Sequence, residues 1–138
     1  MKHEQPIWKW FGFESRQEGC VAQDWFNGLD IDAQLEILNM IGHLRVLPGG
    51  KWSRPDYDPL LGEGGISELR PKDVRTAEGN KTYRIYGVRE YPDKHSYTFL
   101  HGTDKEQKND RDGKDIARRR LRQLLENRGS IQEFDFEG

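Results

Sequence analysis

The 138-residue chain has one cysteine, two methionines and no long apolar run. Cys20 has no second cysteine for an intrachain disulfide, which fits a reducing compartment, so we expect a cytoplasmic protein. The first residues, MKHEQP, are too polar for a signal peptide, and no segment has the length and hydropathy of a membrane span. The sequence therefore predicts no membrane association.

Aliphatic residues are also scarce, because only 33% of the chain is hydrophobic while 33% is charged. The chain compensates with four Trp, five Tyr and six Phe, each of which carries much apolar area. We expect a small aromatic core with long polar edges. The length is usual for one domain, so residues 1–138 are taken as a single domain.

No metal or cofactor site is expected from the residue spacing. The four histidines (His3, His43, His95 and His101) do not cluster, and the lone cysteine offers no further ligand. The glycine-rich segments lack the phosphate-binding pattern of nucleotide-binding loops.

Charge is distributed unevenly along the chain. Residues 66–128 contain 16 Lys/Arg and 11 Asp/Glu, a balance of +5, whereas residues 1–65 contain 6 and 10, a balance of −4. The last ten residues add three acids. The basic half is suited to a polyanion, and the alternative is a solvated surface of mixed charge.

Four segments have the composition of β-strands. Residues 5–14 alternate around aromatic side chains, and residues 66–71, 82–90 and 95–102 are rich in apolar, β-branched and aromatic residues. Turn-forming dipeptides punctuate the last three, which indicates antiparallel hairpins.

Three segments have helical spacing. Residues 20–28 predict a short helix. A longer one follows Asp30 as its N-cap and stops at Pro48, with an apolar stripe of Ile31, Leu35, Leu38, Ile41 and Leu44. A last helix has the apolar stripe Ile116, Ala117, Leu121, Leu124 and Leu125, with capping-box spacing at Asp112 and Asp115. The chain is therefore α+β, with an antiparallel sheet that includes an N-terminal strand, a helical hairpin and a C-terminal helix.

Two aromatic or basic segments have two interpretations each. Trp8 and Trp10 share one strand face and are either core anchors or a stacking platform for bases. The Pro/Gly-rich segment 48–65 is either a wrapping loop or a loop that contacts RNA through Lys51 and Arg54.

The order GGISELR, YRIYGV, TFLHGTDKEQK and IARRRL resembles the RelE superfamily of small toxins, and it is most similar to the phage-derived HigB-like branch. The resemblance covers about half of the chain. It implies a RelE-like fold and the toxin of a type II toxin–antitoxin system, a metal-independent endoribonuclease that cleaves mRNA on the ribosome. The implied partner is a cognate antitoxin, a helix-turn-helix protein.

The resemblance also implies site residues. Arg84 matches the arginine of the YR strand and is the expected phosphate clamp, while His101 and Lys105 complete the expected catalytic set. Further RNA contacts are expected from Arg70, Lys108, Arg118 and Arg122, together with Lys51 and Arg54.

The chain departs from the toxin pattern at several positions. Ile66 and Glu68 stand where related toxins carry catalytic lysines, and Thr103 and Glu106 replace the usual Phe and second Lys. Arg84 also has a structural alternative, which is an ion pair with Glu68 on a neighbouring strand.

Two further functions are therefore compatible with the sequence. One is a RelE-like module that has lost catalysis and binds RNA or protein, and the other is a ParE-like poison of DNA gyrase.

Overall fold

A mixed sheet with helices on both of its faces forms the body of the protein. The computed structural model describes residues 5–104 and 110–137, which form three α-helices, one 3-10 helix and eight strands. The strands are β1 (Lys9–Glu14), β2 (Tyr57–Pro59), β3 (Ile66–Leu69), β4 (Val74–Thr76), β5 (Gly79–Lys81), β6 (Arg84–Arg89), β7 (Ser96–Thr103) and β8 (Ser130–Glu133). The helices are α1 (Val21–Asn27), α2 (Ile31–Leu44) and α3 (Arg111–Leu125), and the 3-10 helix is Gly49–Lys51.

Six strands form the main sheet in the order β2-β3-β6-β7-β1-β8, and β4 and β5 form a separate hairpin. The expected antiparallel arrangement holds for four of the five strand pairs. The exception is β1, which pairs with β7 in parallel. Trp10 and Phe13 of β1 are buried in different core clusters, so this strand must be internal, and the open edge of β7 is where it fits.

One face of the sheet carries the aromatic core expected from the composition. Trp10, Tyr97 and Phe99 project from β1 and β7 onto this face, where α1 and α2 cover them. The indole of Trp52 stacks at 5.8 Å from that of Trp10 and donates its N–H to the carbonyl of Leu44. Trp8 is also buried, so Trp8 and Trp10 are core anchors and offer no stacking platform for bases.

The opposite face is covered by α3. Its apolar side buries Ala117, Leu121 and Leu124 against Phe13 and Leu100 of the sheet. The stripe predicted for this helix is therefore confirmed at these three residues, whereas Leu125 is 66% exposed.

Several sequence expectations need correction in detail. The last helix is capped by Asp110, whose carboxylate accepts the Gly113 N–H at 3.0 Å, and the expected box at Asp112 and Asp115 is wrong. The stripe expected for α2 is confirmed at Ile41 and Leu44 but wrong at Ile31 and Leu35, which are 70% and 50% exposed. The buried residues of α2 are Ala33, Ile37, Met40, Ile41 and Leu44.

The segment 48–65 is more ordered than expected, since it contains the 3-10 helix and β2. The hairpin β4–β5 was not predicted either. The C-terminal segment Ser130–Glu133 forms an edge strand.

A small polar cluster ties β8 to β1. The Glu14 carboxylate accepts hydrogen bonds from the Cys20 thiol at 3.2 Å and from the Ser130 hydroxyl at 3.0 Å. The bond to Glu14 raises the pKa of the Cys20 thiol, and desolvation and the nearby charges of Glu14 and Asp24 act in the same direction.

We expect alanine to have opposite effects on stability at Gly42 in α2 and at Gly102 in β7. A Cβ at Gly102 would lie 2.4 Å from the Trp25 indole, and overpacking of this kind costs about 1–3 kcal/mol. A Cβ at Gly42 meets nothing within 4 Å, so Gly42→Ala should stabilise α2 by about 0.5–1 kcal/mol. Urea unfolding of both variants measures this, and a shift of the two midpoints in one direction would contradict the packing around Gly102.

The thiol should become more reactive when its acceptor loses charge. Glu14→Gln removes the main cause of the raised pKa, so the thiolate fraction of Cys20 at pH 8 should increase, and alkylation by iodoacetamide should accelerate several-fold. Mass spectrometry of timed samples measures the rate, with Glu36→Gln on α2 as the matched control. An unchanged rate in Glu14→Gln would show that Glu14 does not control the thiol.

Candidate functional site

Three polar side chains form a row across the central strands. Glu68 of β3 is paired in register with Tyr86 of β6, and Tyr86 is paired with His101 of β7. Because neighbouring strands lie about 4.8 Å apart, the Cα atoms of Glu68 and His101 are separated by roughly 10 Å. The row lies on the sheet face that α3 covers, since Tyr86 belongs to the same cluster as Ala117 and Leu121.

A β-bulge brings His101 onto this face. The register shifts between Tyr86 and Gly87, so that His101 faces Tyr86, Phe99 faces Gly87, and Leu100 is the extra residue. Strict alternation would place His101 on the same face as Phe99. With the bulge, the imidazole instead lies parallel to the Tyr86 ring, with 6.4 Å between the centroids.

The carboxylate of Glu68 lies between two arginines. Its Oε1 accepts a hydrogen bond from Arg70 Nη2 at 3.0 Å and forms an ion pair with Arg84 Nε at 3.4 Å. The side chains of Glu68 and Arg84 are only 8% and 7% exposed, whereas that of Arg70 is 45% exposed. The contact of Arg84 Nε with Glu68 lacks hydrogen-bond geometry, so among the described residues this buried nitrogen has no hydrogen-bond partner.

Tyr86 is held as a neutral phenol at the centre of the row. It is fully buried, and its hydroxyl donates to Asp110 Oδ2 at 3.2 Å. Burial raises the pKa of Tyr86 far above its ordinary value, although a hydrogen bond with Arg84 opposes the shift. Tyr86 is therefore a hydrogen-bond donor near neutral pH and unsuited to act as a base.

His101 is half-buried and contacts a buried arginine of α3. Arg120 Nη1 donates to the carbonyl of Leu100 at 2.8 Å and lies 3.3 Å from Nδ1 of His101. Arg120 Nε donates to Glu18 Oε2 at 3.0 Å. Burial lowers the pKa of Arg120, and the charge of Glu18 opposes that shift.

The row opens to solvent on the Glu68 side. A depression of about 250 Å³ is lined by Arg54, Pro55, Asp58, Glu68 and Arg70. Arg54 is exposed and paired with Asp58 at 3.1 Å, so this predicted RNA contact does lie beside the row. Lys51 does not, because its 3-10 helix packs through Gly49 against Arg89 at the aromatic core.

The other predicted residues are dispersed or cannot be placed. Arg118 lies on α3 and pairs with Glu63 at 2.5 Å and with Asp115. Arg122 is exposed one turn further along the helix. Lys105 and Lys108 lie outside the described residues.

Sequence reasoning identified part of this cluster. The alternative ion pair between Arg84 and Glu68 is confirmed, although Glu68 was otherwise treated only as a departure from the toxin pattern. Tyr86 was not considered, although it lies two residues after Arg84 and so shares its strand face. Nothing in the sequence separates Arg120 from its neighbouring arginines. Tyr83 faces away from Arg84 and packs with Ala33 and Val74.

The arrangement offers acid–base and anion-binding chemistry. Within residues 5–104 and 110–137, no group of three or more His, Cys, Asp or Glu side chains is placed to hold a metal ion. No helix in the same ranges is long and apolar enough to cross a membrane.

Comparison with known proteins found no match: no family model, no curated protein and no solved structure is significantly similar to this chain.

The two arginines beside Glu68 should contribute unequally to stability. Arg84→Met leaves the Glu68 carboxylate nearly buried beside a neutral side chain, and breaking a buried ion pair costs about 3–5 kcal/mol. Arg70→Met removes a half-exposed partner and should cost less than about 1 kcal/mol. Urea unfolding monitored by tryptophan fluorescence measures both values. Equal losses would contradict the buried placement of Arg84.

Proposed function

We propose that this chain is the toxin of a type II toxin–antitoxin pair with a RelE-like fold, and that it cleaves mRNA on the ribosome without a metal. The observation that carries the proposal is the row of Glu68, Tyr86 and His101, flanked by Arg70 and Arg84. RNA cleavage by the 2′-hydroxyl needs a base, a positive environment for the phosphate and a donor for the leaving oxygen, and this row contains all three.

Each residue has a specific part in the proposed reaction. Glu68 accepts the proton of the 2′-hydroxyl, and the 2′ oxygen then attacks phosphorus. The bond from phosphorus to the 5′ oxygen breaks, which produces a 2′,3′-cyclic phosphate. His101 donates a hydrogen bond to the departing 5′ oxygen, which takes a proton from water, and Glu68 returns its proton to water. Arg70 and Arg84 stabilise the charge on the phosphorane.

The proposed reaction gives Glu68 a catalytic role. Related toxins are expected to carry lysine there, so the sequence alone suggested a lost site. A carboxylate that contacts two arginines of the proposed phosphate-binding position can instead take the part of the base. The partners of the toxin would be mRNA on the ribosome and a helix-turn-helix antitoxin that neutralises it.

Cleavage can be tested by mapping mRNA 5′ ends with primer extension after brief induction in a bacterial host. We expect new ends at in-frame codon positions that disappear when translation is blocked. Glu68→Gln and His101→Gln should each reduce cleavage by a factor of about 10² or more, the usual contribution of an acid–base group. Glu36→Gln and His43→Gln, which change the same residue types on α2, should cleave like the wild type.

Folding must be monitored in the same experiment because Glu68 is nearly buried. Circular dichroism of the purified variants would show whether each is folded at the assay temperature. Intact transcripts in the presence of well-folded wild-type protein would contradict the nuclease proposal.

The burial of Glu68 and Arg84 favours a second candidate function. Their side chains are 8% and 7% exposed, which is low for groups that must touch RNA, and it suits a structural ion pair in a non-catalytic binding module. Such a module would bind RNA or a protein through exposed cations such as Arg54 and Arg70. It would retain binding, but not produce cleavage, in the experiment above.

A further inference from the structure

We infer that Arg120 is a positioning residue that holds His101 in the neutral tautomer with its proton on Nε2. This inference rests on the proposed function for its catalytic meaning, because it concerns the donor in the proposed reaction. Its structural content, the protonation state of one ring nitrogen, stands on the geometry around Arg120.

The contact between Arg120 and His101 determines which nitrogen carries the proton. Arg120 Nη1 lies 3.3 Å from His101 Nδ1. A guanidinium has only donors, so Nδ1 must be the acceptor, and it can accept only when it carries no proton. In a neutral imidazole the proton is then on Nε2. The ring's one N–H donor is therefore on Nε2.

Arg120 itself is fixed from three directions, which gives it the rigidity that a positioning role needs. Its Nη1 also donates to the Leu100 carbonyl at 2.8 Å, and its Nε donates to Glu18 Oε2 at 3.0 Å. The guanidinium lies 5.8 Å from the centroid of the Phe13 ring, and the side chain is only 11% exposed. Leu100 is the bulge residue. The same guanidinium nitrogen therefore contacts His101 and also stabilises the bulge that turns His101 to this face.

The inference also separates the roles of the two titratable groups in the row. With Nδ1 engaged by Arg120 and the proton on Nε2, His101 has no free lone pair and is unsuited to be the base. The base must then be another group, and Glu68 is the carboxylate that lies two strands away in the same register. The roles of His101 and Glu68 would then match those in enzymes where a neutral histidine donates a hydrogen bond and a carboxylate is the base.

Long-range ¹⁵N–¹H correlation spectra of the labelled full-length protein test this directly, with His101→Gln to assign the resonances. We expect His101 to show a protonated Nε2 and an unprotonated Nδ1 at neutral pH. Arg120→Met should convert this into a mixture of tautomers. Arg119→Met is the matched control, because Arg119 is the adjacent residue, pairs with the same Glu18 at 3.2 Å and is 54% exposed.

Cleavage kinetics on programmed ribosomes provide the second readout. We expect Arg120→Met to lower kcat about tenfold or more with KM within about twofold, since misplacing a donor weakens the transition state more than substrate binding. Arg119→Met should change neither value by more than about twofold. Arg120→Lys retains the charge but not the fork, so it should recover only part of the loss.

The outcomes distinguish the two proposals. A proton on Nδ1 in the wild type, or an unchanged single tautomer in Arg120→Met, would overturn the inference whatever the activity. The expected tautomers in a protein that cleaves no mRNA would refute the proposed function and leave the positioning by Arg120 intact. If Arg120→Met does not fold, the wild-type spectrum and Arg120→Lys still decide the tautomer.

Discussion

The rest of the structure depends on strand β7 being buried on both faces. It pairs with β6 on one side and with β1 on the other, and every residue from Ser96 to Leu100 is buried. A strand in this position must satisfy two cores at once. Tyr97 and Phe99 supply the aromatic core beneath α1 and α2, and Leu100 supplies the core beneath α3. The bulge allows this by adding one residue to a strand whose two faces need different side chains.

The same bulge links packing to chemistry. Because Leu100 is the extra residue, His101 turns toward Tyr86, and its backbone neighbour offers a carbonyl to Arg120. The polar row is therefore assembled by sheet geometry, and α3 adds Arg120, which reaches His101 only when the helix is packed on the sheet. This order makes the site sensitive to the docking of a helix that also buries Leu121 and Leu124.

The sequence predicted the repeating parts of the fold well and the non-repeating parts poorly. Periodicity identified the strands around β3, β6 and β7, the helix pair and the apolar face of α3, because these features extend over several residues. It could not show that β1 runs parallel to β7, since pairing partners far apart in the chain leave no local signal. The three-residue strands β2, β4 and β5 are too short for any period to be visible. The bulge depends on how β6 pairs with β7, whereas the Asp110 cap is a local contact with Gly113 that the sequence reasoning assigned to the wrong aspartate.

The sequence predicted the cations of the candidate site, and it predicted Glu68 only as an ion-pair partner of Arg84. Arg70, Arg84 and His101 were expected from the family resemblance, and the structure brings them together on or next to the adjacent strands β3, β6 and β7. Yet the count of +5 overstated the free positive charge. Within the basic half, residues 66–128, Arg118 is paired with Glu63 of the acidic half, and Arg70 and Arg84 share Glu68. A phosphate that approaches these arginines must compete with carboxylates already in place.

That competition has a consequence for how the surface can recognise RNA. A cation already paired with a carboxylate releases fewer counterions when it binds phosphate, so RNA binding should depend less on salt than the number of arginines suggests. For the proposed RNA substrate, specificity would then come from position, since a phosphate at Arg70 would share its fork with Glu68. The buried carboxylate is therefore the residue that decides between a reactive site and a purely structural ion pair. Its 8% exposure, beside a depression that reaches it through Arg54 and Arg70, is the geometric feature on which either function turns.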